Sequence, residues 1–121
     1  MQHYKSFGEF LTKKRHERRI TSIDMANKIG ISPGYYCDIE KDRRKPPEPE
    51  VLDKVMKALD LSDEDKLLFF DLAGAARSQV PLDLPRYIMG NEVVRVALRI
   101  AKDKADSSDW QEFIDKLKNK N

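Results

Sequence analysis

Cysteine is nearly absent from this 121-residue chain: Cys37 stands alone, so no internal disulfide can form. Histidine is scarce too, with His3 and His16 the whole complement, and a Cys/His zinc site would lack ligands. Cys37 therefore reads as a small residue on a helix. Glycine (5) and proline (6) are sparse and no low-complexity run occurs, which argues against extended disorder. No apolar run approaches the roughly 18–20 residues that span a bilayer. The stretch from Val93 to Ala101 is broken by Arg95 and Arg99, and Met1 to Leu11 is too polar for a secretory leader. A cytoplasmic location is expected. No nucleophile has a plausible base nearby, and neither a carboxylate–histidine cluster nor a glycine-rich phosphate loop occurs. We expect no enzyme, no catalytic residues, no metal and no cofactor.

Charge and helical periodicity are what the sequence does contain. Charged residues make up 36% and apolar residues 40%, enough for a core with well-solvated outer faces. The net charge of +2 conceals an asymmetry. Residues 1–45 hold 11 Lys/Arg against 6 Asp/Glu, residues 46–83 hold 4 against 9, and residues 84–121 hold 8 against 6. The basic excess lies in the first third, which hints at a polyanion partner there.

Helix signals recur and strand signals are nearly absent. Ser6 with Glu9 has capping-box spacing, and Phe7, Phe10 and Leu11 share a face. This helix is predicted to reach about Arg19. Its other face carries Lys13, Lys14, Arg15, Arg18 and Arg19, either solvated or tracking phosphate. Thr21 caps a second helix with Ile23, Met25, Ala26 and Ile29 on the apolar side, and Gly30 ends it. Ser32 and Pro33 read as N-cap and first position of a third helix, with Tyr36 and Ile39 buried and Tyr35 partly covered. A basic turn, Arg43-Arg44-Lys45-Pro46-Pro47, stops it. Pro49 opens a fourth helix with Val51, Leu52, Val55, Met56 and Leu59 on one face. Ser62 caps a fifth carrying Leu67, Leu68, Phe70, Leu72 and Ala73. An extended linker is expected over Ser78–Pro85, then a short helical piece to Met89-Gly90. Asn91 caps a helix with the stripe Val93, Val94, Ala97, Leu98 and Ala101. Ser108 with Gln111 boxes a last helix presenting Trp110, Phe113, Ile114 and Leu117.

The informative unit runs from Thr21 to Lys41. Two short helices meeting at a tight turn need a small residue where their backbones approach (Ala26), a glycine in the turn (Gly30), an apolar wedge beneath it (Ile31) and an anchor on the second helix (Ile39). A helix held proud of the surface in this way enters the major groove N-terminus first. Through Thr21, Ala26, Lys28, Ile29-Gly30-Ile31-Ser32, Tyr35, Ile39-Glu40 and Arg43-Arg44-Lys45-Pro46-Pro47, the sequence resembles the Cro/repressor-type (XRE-like) helix-turn-helix regulators. The resemblance covers roughly Phe7 to Leu61. Residues 69–121 resemble the helical tail of small regulators from bacterial mobile elements.

The resemblance implies an all-α fold: a compact five-helix lambda-repressor-like domain over residues 1–77 and a C-terminal helical extension over 78–121. It implies a sequence-specific transcriptional regulator, a repressor binding a two-fold operator on double-stranded DNA through Ser32–Asp42. The DNA-binding residues carried over are Ser22 at the start of the first motif helix, Ser32, Pro33, Gly34 and Tyr35 in the leading turn of the recognition helix, Cys37 and Asp38 in its middle, and Arg43 and Arg44 in the basic turn. Glu40 matches a structural position that pairs with a nearby Arg. Ser22 replaces the Gln of many relatives, and Pro33 and Gly34 have no side chain able to read a base, so phosphate contacts are expected to dominate. Asp38 could accept from a cytosine amino group.

A homodimer is expected. Val93, Val94, Leu98, Trp110, Phe113 and Leu117 are the candidate surface for dimerisation or for a protein partner, as in an antitoxin whose helix-turn-helix serves autoregulation. A ligand-sensing tail is a third reading; about fifty residues leave room for the usual pocket of a few hundred Å³ only at a dimer interface.

Overall fold

The computed structural model describes residues 3–77, 79–81 and 83–120. Among these residues every regular element is an α-helix, eight in all rather than the five of a minimal domain. They fall into two compact units, one up to Asp83 and one from Leu84 onward. The first holds α1 (Phe7–Glu17), α2 (Ser22–Ile29), α3 (Pro33–Glu40), α4 (Pro49–Leu59) and α5 (Asp63–Arg77). The second holds α6 (Pro85–Met89), α7 (Glu92–Lys104) and α8 (Ser107–Lys118). Of the linker expected over Ser78–Pro85, Ser78 and Leu82 lie outside the described residues; 79 and 80 are bends.

Local chemistry sets the helix ends. Ser6, Thr21, Ser32 and Ser62 each accept the amide of the residue three positions on, at 3.1–3.2 Å. Gly30 takes φ 77°, which only glycine adopts at no cost, and lets the Ile31 amide reach back to the Ala26 carbonyl at 3.1 Å. α1 ends at Glu17, two residues short of the prediction, because Arg19 turns left-handed at φ 57°. The last cap also differs. Asp106, not Ser108, boxes α8, with Asp109 returning the bond to the Asp106 amide at 3.0 Å. Asp106 is one residue before the helix, whereas Ser108 is already inside it and donates to Asp106 Oδ1 at 2.7 Å.

The core lies in the first unit, where α2 packs on α3 and α4, and α1 on α3 and α5. Phe7, Phe10, Leu11, Met25, Ala26, Ile29, Tyr36, Ile39, Leu52, Val55, Leu59 and Ala73 are all buried. Its aromatic centre is Phe69, fully buried with ring centroids 5.4 Å from Phe7 and 6.1 Å from Phe10. Leu67 and Ile23, predicted on core faces, are instead exposed, because neighbouring helices cover only a narrow strip of α5 and α2. In the second unit α6 packs on α7, yet no residue of α6, α7 or α8 is buried.

Candidate nucleic-acid interface

The motif helices present one side and hide the other. Tyr36 and Ile39 anchor α3 in the core. Ser32, Pro33 and Gly34 at its leading end are exposed; Tyr35, Cys37 and Asp38 are half-buried beside them. A Cβ on Gly34 would meet nothing within 4 Å, so no intramolecular contact demands glycine there. Ser22 opens α2, also half-buried.

The basic turn follows α3 directly. Arg43, Arg44 and Lys45 are exposed, while Pro46 and Pro47 are buried beneath them. The Arg43 amide donates to the Asp38 carbonyl at 2.8 Å and its guanidinium sits 3.6 Å from the Asp38 carboxylate. Asp38, read from sequence as a base reader, therefore also holds Arg43. Arg44 lies over the Tyr35 ring at 6.0 Å, within cation–π range. Tyr35, Arg43, Arg44, Lys45, Pro46 and Arg77 line an open groove of about 390 Å³. Arg44 and Lys45 have no carboxylate partner among the described residues.

What fixes α3 was only partly visible in the sequence. Glu40, expected to pair with an arginine, takes Arg15 Nε at 2.7 Å and Nη2 at 3.0 Å, with both side chains about nine-tenths buried. Thr12 donates to the same carboxylate at 3.1 Å. Burial pushes the Glu40 carboxyl up, but the hydrogen bonds from Arg15 and Thr12 and the Arg15 charge outweigh it, leaving it below its ordinary value. Burial, with Glu40 alongside, pushes the Tyr36 hydroxyl up. Two residues beyond α3, Asp42 turns left-handed at φ 58° and accepts the Ser6 hydroxyl at 2.6 Å and the Gly8 amide at 3.0 Å. Sequence reasoning missed this second cap on α1, since nothing local links positions 34 and 36 residues apart.

The same geometry corrects the reading of the basic face of α1. Lys14 is buried between Asp65 (2.9 Å) and Glu17 (3.4 Å). Arg15 serves Glu40, and Arg18 donates to the last carbonyls of α4, Leu59 at 2.7 Å and Asp60 at 2.8 Å. Lys13 pairs with Glu9 at 2.8 Å. Most of this face is structural, neither freely solvated nor free to track phosphate.

A helix anchored by two core residues, with its leading turn bare and cations directly behind it, defines a helix-turn-helix module. Residues 11–66 match the helix-turn-helix family model, which is of the XRE type. No curated protein sequence matches the chain. Two solved structures are similar. One is the clp gene regulator ClgR from Corynebacterium glutamicum, with 23% identity over 83% of this chain and 92% of that one, TM-score 0.48. The other is the SinR protein/SinI protein complex, with 19% identity over 93% and 94%, TM-score 0.45. Among the described residues no group of His, Cys, Asp and Glu is placed to hold a metal, and no helix is long and apolar enough to cross a membrane.

Proposed function

We propose that this protein is a DNA-binding transcriptional regulator, a repressor that sets Ser32–Asp42 into the major groove of a two-fold operator. The observation that carries this reading is the bare leading turn of α3 flanked by the exposed cations of the basic turn. Ser32, Tyr35, Cys37 and Asp38 face the bases, Pro33 and Gly34 allow close backbone approach, and Ser22, Arg43 and Arg44 take phosphates. With few side chains able to read bases, phosphate contacts supply most of the affinity. The test is fluorescence anisotropy on DNA from upstream of the protein's own gene, at several salt concentrations, against scrambled DNA. A preference of about 10³-fold is expected. The double substitution Arg43→Ala/Arg44→Ala should lower the salt slope by about 2, near 0.9 for each phosphate no longer neutralised. Equal, weak binding to both DNAs would overturn the reading.

A second element concerns the C-terminal unit. Val93, Leu98, Phe113 and Leu117 are 39–76% exposed, and an open apolar groove of about 450 Å³ lies between α7 and α8. Such faces on short helices are covered in a stable assembly. We read this surface, with Val94 and Trp110, as the dimer contact that pairs two recognition helices, in preference to an antitoxin-like contact with another protein. Sedimentation of Leu98→Glu/Phe113→Glu should show monomers where the wild type shows dimers; an unchanged mass would refute the dimer reading.

A further inference from the structure

The groove behind the recognition helix contains a cation that the helix-turn-helix segment does not supply. Arg77 is the last residue of α5, beyond residues 11–66. Its side chain is 19% exposed. Nε donates to the Pro46 carbonyl at 3.0 Å, Nη2 donates to the same oxygen, and Nη2 lies 3.5 Å from Glu48. Pro46 is the residue on which the exposed run Arg43-Arg44-Lys45 ends.

We infer that Arg77 is a positioning residue for DNA binding: it pins the Pro46 carbonyl to α5 and so holds Arg43, Arg44 and Lys45 in one phosphate-facing arrangement. The inference rests on the DNA-binding reading above. The turn is tied at its front by the Arg43 amide on Asp38 and at its back by Arg77 on Pro46. Between these ties only the Arg43–Asp38 ion pair and the stacking of Arg44 on Tyr35 restrain three long side chains. A turn released at its back populates other conformations, and apparent affinity falls by the fraction that remains competent.

Side-chain geometry provides a test that separates position from charge. Glutamine places its amide nitrogen where Arg77 has Nε, so Arg77→Gln keeps a donor to Pro46 and loses the charge. Arg77→Lys keeps the charge and puts a methylene at the Nε position. Arg77→Met loses both. Anisotropy on operator DNA at several salt concentrations is paired with ¹⁵N heteronuclear NOEs of the Arg44 and Lys45 amides in the free protein. The expected result is that Gln stays within about threefold of wild type, while Lys and Met weaken binding about tenfold, as a drop of the competent fraction to a tenth requires. The NOEs should fall in Lys and Met and hold in Gln. Lys binding like wild type with Gln weakened would overturn the inference, because Arg77 would then act as a direct phosphate charge. Wild-type NOEs in all three variants would overturn it as well. If wild-type protein shows no preference for operator DNA, the DNA-binding reading fails on that arm alone, and the NOEs still decide whether Arg77 pins the turn.

Discussion

Gly8 lies on α1 where that helix crosses the end of the recognition helix, and replacing it with alanine separates two opposed physical effects. Propensity favours alanine by up to about 1 kcal/mol in a helix interior. Sterics oppose it. A Cβ at Gly8 would stand 2.8 Å from both the Glu40 carbonyl carbon and Asp42 Oδ1, with the Glu40 carbonyl oxygen closer still. Ordinary contact begins at 3.4 Å, and the obstructing atoms of Glu40 are backbone, which cannot rotate away. Set by the Glu40 carbonyl oxygen, the withdrawal of α1 would have to be roughly 1 Å or more, a forced repacking of the kind that costs about 1–3 kcal/mol. The withdrawal also stretches the Gly8 and Ser6 bonds to Asp42 and the Arg15–Glu40 pair. Losing a hydrogen bond to a charged group adds about 1.5 kcal/mol or more. The net expectation for Gly8→Ala is a loss of about 2–3 kcal/mol, a fall in Tm of about 10–20 °C for a domain of this size. Urea denaturation and calorimetry measure it. Gly34→Ala is the control: with open space around it only the propensity gain remains, and stability should rise by up to about 1 kcal/mol. A Gly8→Ala protein as stable as wild type, or more stable, would refute the packing argument and leave propensity as the governing effect.

Three other perturbations follow from the same contacts. Glu40→Ala strands the Arg15 guanidinium in a nearly buried site and should cost about 3 kcal/mol in urea denaturation. Because the folded Glu40 carboxyl titrates below its ordinary value of 4.5, its contribution is complete above that pH and disappears as pH falls through the folded pKa; the variant should therefore show a shallower acid loss than wild type. Phe69→Ala should cost about 3–5 kcal/mol, against less than about 1 kcal/mol for Leu67→Ala two positions away; comparable losses would contradict the burial pattern. Lys14→Met preserves much of the buried stem but leaves the Asp65 carboxylate, 22% exposed, without its cation, and should cost roughly 1–3 kcal/mol in stability. Operator affinity of this variant should be nearly unchanged, and a marked drop would place this part of α1 on the DNA.

The recognition unit was legible in the sequence because its signals are local. Thr21, Gly30 and Ser32-Pro33 act within a turn of their own positions, and Tyr36 and Ile39 are buried where helical spacing puts them. Interactions between distant positions were not legible. A run of cations on α1 reads the same whether it faces water, DNA or a buried carboxylate; Asp65 and Glu40 decide, 51 and 25 residues along the chain from their partners. The apolar side of α5 offers overlapping stripes, and packing against Phe7 and Phe10 selects the one through Phe69. For the same reason Arg77 was invisible as part of the basic groove, since its partner Pro46 lies 31 positions earlier.

The internal use of cations also limits how electrostatic the DNA complex can be. Eleven Lys and Arg residues lie in residues 1–45, and a footprint that used them all would give a salt slope near −10 per protomer. Lys14, Arg15 and Arg18 are consumed by Asp65, Glu40 and the end of α4, and Lys13 is held by Glu9. The exposed turn of Arg43, Arg44 and Lys45 accounts for about −3, and the exposed Lys5, Arg19, Lys28 and Lys41 could extend it to about −6. A slope of about −3 to −6 per protomer, read from anisotropy between low and moderate salt, is therefore expected. A value near −10 would mean that the α1 ion pairs open on DNA. Wild-type and Lys14→Met proteins would then differ in slope by about 1, which the folded geometry forbids.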